Sequence, residues 1–484
     1  MTPVKKKTVP VEPPLVTGSM FFKYDACPHW IWFDRFGDPA RKKRTTRFAE
    51  MLMENGLLHE ERIIAGRRYV EVKGRGNAAR FQATLKLMAA GAECIYHGAL
   101  LAGDLAGEPD LLEKRTDRSS TFGPYYYVAI DIKSAERLQD AHKLQLALYG
   151  ELLREIQGVR PHEGYVLNGS GALLGFSLAD FEPQFREALA AVRRILAGDR
   201  PPPHLSSGCK QSPWFDECVA LCEAEDDAAL LYNVKQRTLN ALREDGVRTV
   251  HDAAAMDVEA LLNADPRLSR KTLDRLVLQA RALLAKEHFI RQPIELPAAA
   301  LEIHFDIEGD PLRQVEYLFG FLVRSGGAEK YEYILAERPE DEARLWRDFL
   351  AWADKLPPDL VVYHYGTYEQ ARLTIFESRY GGAPALARFR AAMVDLNEIV
   401  KDCVVLPLYF YGIKNIGQYL GFERSKKIAG GGESVAFYEE WLNKGDRRKL
   451  DAIIKYNEDD VIATRYLKDW LEAEEAKRRA AAPE

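Results

Sequence analysis

The alternation of apolar and polar positions along this chain predicts two sheet-forming regions separated by a helical stretch. In the first region, residues 46–56 and 78–90 have helical periodicity, while 92–101 and 110–114 read as strands. Residues 125–132 are almost entirely aromatic or β-branched and predict a buried strand, and 140–156 predict a long amphipathic helix. The middle is helical: 239–242, a tight turn at Asp245-Gly246-Val247, then 249–255. The last region opens with a strand over 301–307, an apolar hairpin partner over 315–323 and a third strand over 331–335. A helix over 340–352 and a strand over 360–365 follow, after which helical patterns dominate. No solenoid-type repeat is visible.

Composition breaks at Pro201-Pro202-Pro203, at the acidic run 223–227 and at the Pro/Ala-rich 293–300 divide the chain. The expected organisation is a flexible basic tail (1–20), a first domain (21–222), a helical segment resembling a helix-hairpin-helix (223–292) and a third domain (293–484). The fold class is mixed α/β. In the third domain, three antiparallel strands, a helix and a further strand follow the order of an RNase H-like fold.

A length of 484 residues suits about three domains, and 47% hydrophobic with 29% charged residues suits a globular protein. No apolar run reaches the roughly 18–20 residues of a membrane span. Lys5, Lys6 and Lys7 precede no apolar signal core, so no membrane association and a cytoplasmic location are expected. The net charge of −6 argues against a basic nucleic-acid coat protein, but not against a nuclease, whose metal-binding acids offset basic contacts elsewhere. The runs 41–44, 67–68 and 447–449 are basic. Six cysteines in so long a chain do not suggest a disulfide scaffold. Cys94 and Cys403 read as core thiols, whereas Cys209, Cys218 and Cys222 cluster and Cys27 stands far ahead of them.

Two groups of acids carry the candidate chemistry. Asp131 and Lys133 share one face of a strand, and Asp110 begins another. Two acids from adjacent strands can hold a divalent metal, and a lysine beside them can orient the attacking water and stabilise developing charge. His59-Glu60 offers a further ligand at the end of an early helix, and Gln145 and Tyr149 lie one turn apart on a helical face. The second group pairs Asp306 and Glu308 on a strand with Tyr456 and Asp460, one turn apart on the last helix. Such a set can bridge two divalent ions while a tyrosine positions water. Glu369 is the intervening acid, and Asp395 is a further candidate that reads equally as a helix N-cap. Asp459 reads as a solvated helix charge. Lys414, in Gly412-Ile413-Lys414-Asn415, and the turn at Gly246 are candidate contacts to a nucleic-acid backbone.

The order His59, Gly107-x-x-Asp110, Asp131-x-Lys133, Gln145-x-x-x-Tyr149 resembles the RecB-like PD-(D/E)xK nucleases over about residues 21–222. The resemblance implies a restriction-endonuclease-like fold, His59, Asp110 and Asp131 as metal ligands, Lys133 as a catalytic residue, and Gln145 and Tyr149 as substrate supports. Some members of that family carry an iron–sulfur (4Fe-4S) cluster held by one cysteine before the nuclease core and three after it. Cys27, Cys209, Cys218 and Cys222 are the matching set. Serine at 212 stands where a cysteine is expected, so an intact cluster, a vacated site and zinc remain open. Asp306-x-Glu308 with Tyr456-x-x-x-Asp460 resembles the tyrosine-type DEDD 3′–5′ exonucleases, with Glu369 where those enzymes usually have aspartate. The whole order, together with Ser434-Val435-x-x-Tyr438, resembles a family of predicted bacterial RecB-like nucleases that fuse the two domains. It implies an Mg2+- or Mn2+-dependent nuclease acting on DNA, on single strands or ends, with a helicase or repair partner. Two alternatives stay open: a non-catalytic nucleic-acid-binding adaptor with degenerate sites, and an RNA-processing exonuclease.

Overall fold

A computed structural model describes residues 14–425, 428 and 430–481, so the lysines expected in a basic tail lie outside the described residues. The chain forms two compact units, one of residues up to 45 and 53–221, the other of 46–52 and 222–484. Both are mixed α/β. Among the described residues, no helix is long and apolar enough to cross a membrane.

The first unit is built on a six-stranded sheet in the order Val70–Glu71, Cys94–Tyr96, Leu111–Arg115, Tyr126–Ile132, Glu163–Leu167, Leu173–Ser177. Tyr126–Ile132 is buried at every position, as its aromatic and β-branched sequence demands. It runs antiparallel to Leu111–Arg115 and parallel to Glu163–Leu167, and the crossover between the parallel pair is the helix Asp140–Gln157. The strand expected over 92–101 is two strands, because the chain changes sheets there. Cys94–Tyr96 stays in the six-stranded sheet, whereas Leu100–Ala102 joins a second sheet with Leu105–Gly107 and Val16–Thr17. His97 makes the break in a left-handed conformation, with φ of 55°. Val16 and Thr17 pair with Leu105 and Ala106, so the chain is already engaged within the span expected to be tail. The basic run at 41–43 is a surface ion-pair patch: Arg41 meets Glu217, Lys42 meets Asp34 and Lys43 meets Asp216.

The second unit carries a five-stranded sheet in the order Ala328–Leu335, Val315–Ser325, Leu301–Asp310, Leu360–His364, Met393–Asp395. The first three are antiparallel and the last two join in parallel. Period-two alternation along Leu301–Asp310 sorts its side chains. Ile303, Phe305 and Ile307 enter an aromatic core with Phe319, Phe321, Phe349 and Phe389. Glu302, His304, Asp306 and Glu308 take the opposite face, over which the long helix Arg447–Ala481 is laid. The helical stretch before this sheet comprises Gln236–Glu244, Val250–Ala255, Val258–Ala264 and Arg270–Ala285. Gly246 turns between the first two with φ of 90°, and Thr249 and Asp252 form a reciprocal N-terminal cap on the second.

The long helix can approach the sheet closely because residue 320, paired opposite Asp306, is glycine. A Cβ there would stand 1.5 Å from Asn457 Oδ1. Gly320→Ala should therefore displace Asn457 and destabilise the protein by about 1–3 kcal/mol, the usual range for overpacking a well-filled interior. Thermal denaturation checks this, and an unchanged Tm would show that the helix can shift freely.

Candidate active site

The helix–sheet interface of the second unit gathers three carboxylates. Asp306 and Glu308 come from alternate positions of Leu301–Asp310, and Asp460 from the facing helix, with one oxygen of each lying within 4.8 Å of the others. This donor set can hold a divalent metal. The strand runs past the expected 307 to Asp310 and shifts register between Glu308 and Gly309, a local irregularity beside the acids. Burial, Asp460 and Glu308 push the Asp306 carboxyl well up, and burial with Asp460 takes Glu308 up to about 8. Asp460 is raised as well, chiefly by burial, and is opposed by Arg424, whose Nη1 lies 2.8 Å from Oδ1.

The supporting residues are specific. Asn457 Nδ2 donates to Asp306 Oδ2 at 2.7 Å, and Tyr331 donates to Asn457 Oδ1 at 2.9 Å, fixing the amide's orientation. Ser434 hydrogen-bonds Glu308 and also lies 2.7 Å from the Tyr317 hydroxyl. Tyr317 in turn stacks on Tyr438, so both ends of the Ser434-Val435-x-x-Tyr438 pattern support the acids. Tyr456 sits one turn before Asp460. Burial first, then Asp460, Glu308 and Asp306, raise its pKa far above the phenolic range, so it stays protonated. Lys414 Nζ lies 4.5 Å from the centre of the Tyr456 ring, and burial pulls its pKa down.

Glu369 is buried and close enough to raise Asp306, yet it lies outside the three-carboxylate group, and its Oε2 is 3.5 Å from His364 Nδ1. Asp395 caps Leu396–Cys403, accepting from Asn397 N and Gly366 N at 2.8 Å each. Asp459 is not solvated: it is buried and accepts from Ser425 N at 2.7 Å, pinning the segment that carries Arg424. Arg424 and Asn457 lay outside the sequence reading, since nothing local marks either as facing the acids.

In the first unit a second group forms from Glu60, His97 and Asp110, again with donor atoms within 4.8 Å. His97 Nε2 is 2.7 Å from Glu60 Oε1, and Tyr96 donates to the same oxygen at 2.9 Å. Asp110 Oδ2 accepts from Ile132 N at 2.6 Å, joining the strand that carries Asp131. Burial and Asp131 push Asp110 up to about 7. Asp131 is 1% exposed, with Lys133 Nζ 2.9 Å from Oδ2. The helix presents Glu60 to this group, whereas the adjacent His59 is 2.9 Å from Arg62 through Nδ1, and its buried Nε2 has no hydrogen-bond partner among the described residues. His97 escaped the sequence reading because a continuous strand was expected there. Gln145 Nε2 donates to the Tyr149 hydroxyl at 2.7 Å, and Tyr149 donates to Glu108 O at 3.2 Å. Both residues line a cavity of about 330 Å³ that also includes Gly107 and Glu108.

The cysteines are gathered differently from the expected foursome. Cys27 is within hydrogen-bonding range of Cys209 and Cys218, which pull its thiol well down. His29 stands beside Cys218, with Nδ1 3.1 Å from Cys218 Sγ and Nε2 2.5 Å from Pro201 O. Cys222, one turn beyond Cys218, is buried near Tyr409. Ser212 accepts from Trp214 N at 3.1 Å. Cys403 is buried, while Cys94 is half-buried rather than a full core thiol. Gly246 lies at an open turn, with nothing within 4 Å of where a Cβ would sit.

Residues 303–472 match the RNase_H_2 family model of the RNase_H superfamily, a span that contains Asp306, Glu308, Glu369, Tyr456 and Asp460. This part of the chain is an RNase H-like domain, and it suggests a nuclease acting on nucleic acid. No curated protein matches the chain.

The raised acids set a pH dependence. Glu308 loses its proton near 4.5 in the unfolded chain but near 8 in the metal-free fold. Between those values the native state binds more protons than the unfolded state, so the site's contribution to stability falls as pH rises. A cation that needs the carboxylates should gain affinity over the same window. The Tm increase caused by saturating Mn2+ is therefore expected to be larger at pH 8 than at pH 6, as read by differential scanning fluorimetry. An equal increase at both values would contradict the assignment.

Proposed function

We propose that this protein is a divalent-metal-dependent nuclease that hydrolyses phosphodiester bonds of DNA, exonucleolytically on single strands or ends. The observation that carries the reading is the convergence of Asp306, Glu308 and Asp460 beside Tyr456 within the span that matches the RNase_H superfamily. The oxygen-only donor set fits Mg2+ or Mn2+. When bound, the ions supply Lewis-acid activation of water and neutralise charge developing on the phosphate. Asp306, Glu308 and Asp460 would hold them. Tyr456, kept protonated, donates a hydrogen bond that orients the attacking water instead of removing its proton. Lys414 offers positive charge to the phosphate, and Arg424 holds Asp460 in place. Glu369 serves at the edge of the set, with His364 orienting it.

The first unit supports a second centre in this reading, of the RecB-like PD-(D/E)xK type. Glu60, His97 and Asp110 would hold the metal, Asp131 and Lys133 complete the strand-borne pair, and Gln145 and Tyr149 border the cavity. Lys133 remains an ammonium, because Asp131 and Asp110 outweigh the effect of its burial. It therefore acts by stabilising charge and orienting water.

Magnesium-dependent degradation of end-labelled DNA, with RNA as the comparison, tests the reading. Asp306→Asn should lower one activity by about 10²-fold or more, Tyr456→Phe should lower the same activity by about 10²-fold, and Asp131→Ala should remove any second activity. Undiminished cleavage by the Asp131→Ala/Asp306→Ala double variant would sink the proposal.

The iron–sulfur cluster that the resemblance implies needs four thiolates, whereas Cys27, Cys209 and Cys218 stand with an imidazole. Anaerobically purified protein should show no brown absorbance near 400 nm and no stoichiometric iron. Four irons per chain would restore the cluster reading.

A further inference from the structure

The second unit contains a cavity of about 340 Å³ whose lining runs against the charge of the chain. The whole protein carries a net charge of −6, yet Lys235, Arg237, Lys271, Arg275, Arg291 and Lys401 all face this space. Arg267 lines it too, but is engaged by Asp265 at 2.6 Å. Asp402 is the one carboxylate in the lining. The exposed Lys235, Arg237, Lys271 and Lys401 make no ion pair among the described residues. Arg275 is half-buried and donates to backbone carbonyls, Tyr232 O at 2.8 Å and Asn233 O at 3.4 Å, rather than to an acid. Burial lowers its pKa from the usual arginine value, and Arg291 adds a smaller push in the same direction. One wall is aromatic: Tyr232 and Tyr411 stack with ring centroids 3.9 Å apart and planes 5° from parallel.

Such a concentration of uncompensated cations repels itself, and a polyanion relieves it. The basic groups are more than one phosphate needs. They come from the helices Gln236–Glu244 and Arg270–Ala285, from Arg291 beyond them and from Lys401 on Leu396–Cys403, as a strand of several phosphates would require. The cavity shares no lining residue with the carboxylate centre.

We propose that this pocket is a second nucleic-acid site, which binds backbone phosphates of the substrate strand at a distance from the point of cleavage. The proposal rests on the nuclease reading for the identity of the strand, but not for the existence of the site. It makes the helical stretch a substrate-holding element through its cationic pocket rather than through the turn at Gly246.

The test is binding of a fluorescent single-stranded 20-mer to the full-length protein in EDTA, followed by anisotropy at several salt concentrations. Arg237→Glu/Lys271→Glu should weaken binding about tenfold or more, and should flatten the dependence of log Kd on log salt by about 1–2. Lys355→Glu/Lys444→Glu, an equal charge change at exposed positions outside the pocket, should do neither. Cleavage of a dinucleotide, too short to span both sites, should proceed at the wild-type rate in the pocket variant. Oligonucleotides with and without a 5′-phosphate separate the sources: equal loss for both indicates backbone phosphates, while loss confined to the phosphorylated one would overturn the proposal in favour of a terminal-phosphate site. Unchanged affinity and salt slope in the pocket variant, or equal weakening in the control, would also overturn it. If wild type binds through the pocket but cleaves nothing, the nuclease reading falls and the binding site stands.

Discussion

Placing three carboxylates within one helix–sheet interface is the constraint around which the second unit is organised. Burial raises the pKa of all three, Asp460 raises Asp306 and Glu308, and Glu308 raises Asp306 further. The surroundings are arranged to hold that arrangement together. Arg424 faces Asp460, Asn457 holds Asp306, and Ser434 reaches Glu308. Gly320 provides the room without which the amide could not approach. The remaining electrostatic cost is what a divalent cation would relieve, so the same feature that opposes folding in the metal-free protein favours metal binding.

The first unit meets a similar problem with a different local solution. Asp131 lies at the end of a fully buried strand, and its charge is met by Lys133 two residues on, while Asp110 is tied to the same strand through Ile132 N. The chain's move from one sheet to another delivers His97 to Glu60 and Asp110. A left-handed residue at that point is thus part of both the topology and the site. Away from these acids, the basic cavity beside the stacked Tyr232 and Tyr411 has the opposite electrostatics, and opposite charges at separate places suit a protein that would grip a polyanion in one region and cut it in another.

Much of this was legible in the order of residues. Period-two alternation put Asp306 and Glu308 on the same face, and helical spacing put Tyr456 and Asp460 on theirs, because those relations depend only on local geometry. The hydrophobic run at 125–132 announced a buried strand, and the Asp131-x-Lys133 pair followed from the pleat. The expectations that changed were those needing knowledge of what packs from elsewhere. Asp459 looked like a surface charge until Ser425 was brought to it, and of the adjacent His59 and Glu60 it is Glu60 that the helix presents to the metal-binding group. His29 joined the thiols where Cys222 was expected.

The sequence alone therefore determined which acids share an element face, where the apolar strands lie and which residue types are available for metal and phosphate chemistry, since period and composition are local properties. Only the tertiary structure decided that Asp460 meets Asp306 and Glu308, that Arg424 and Asn457 support them, and that seven scattered cations line a single cavity. Those relations join residues far apart in the chain, and they arise from the packing of helices on sheets, which no short-range pattern encodes.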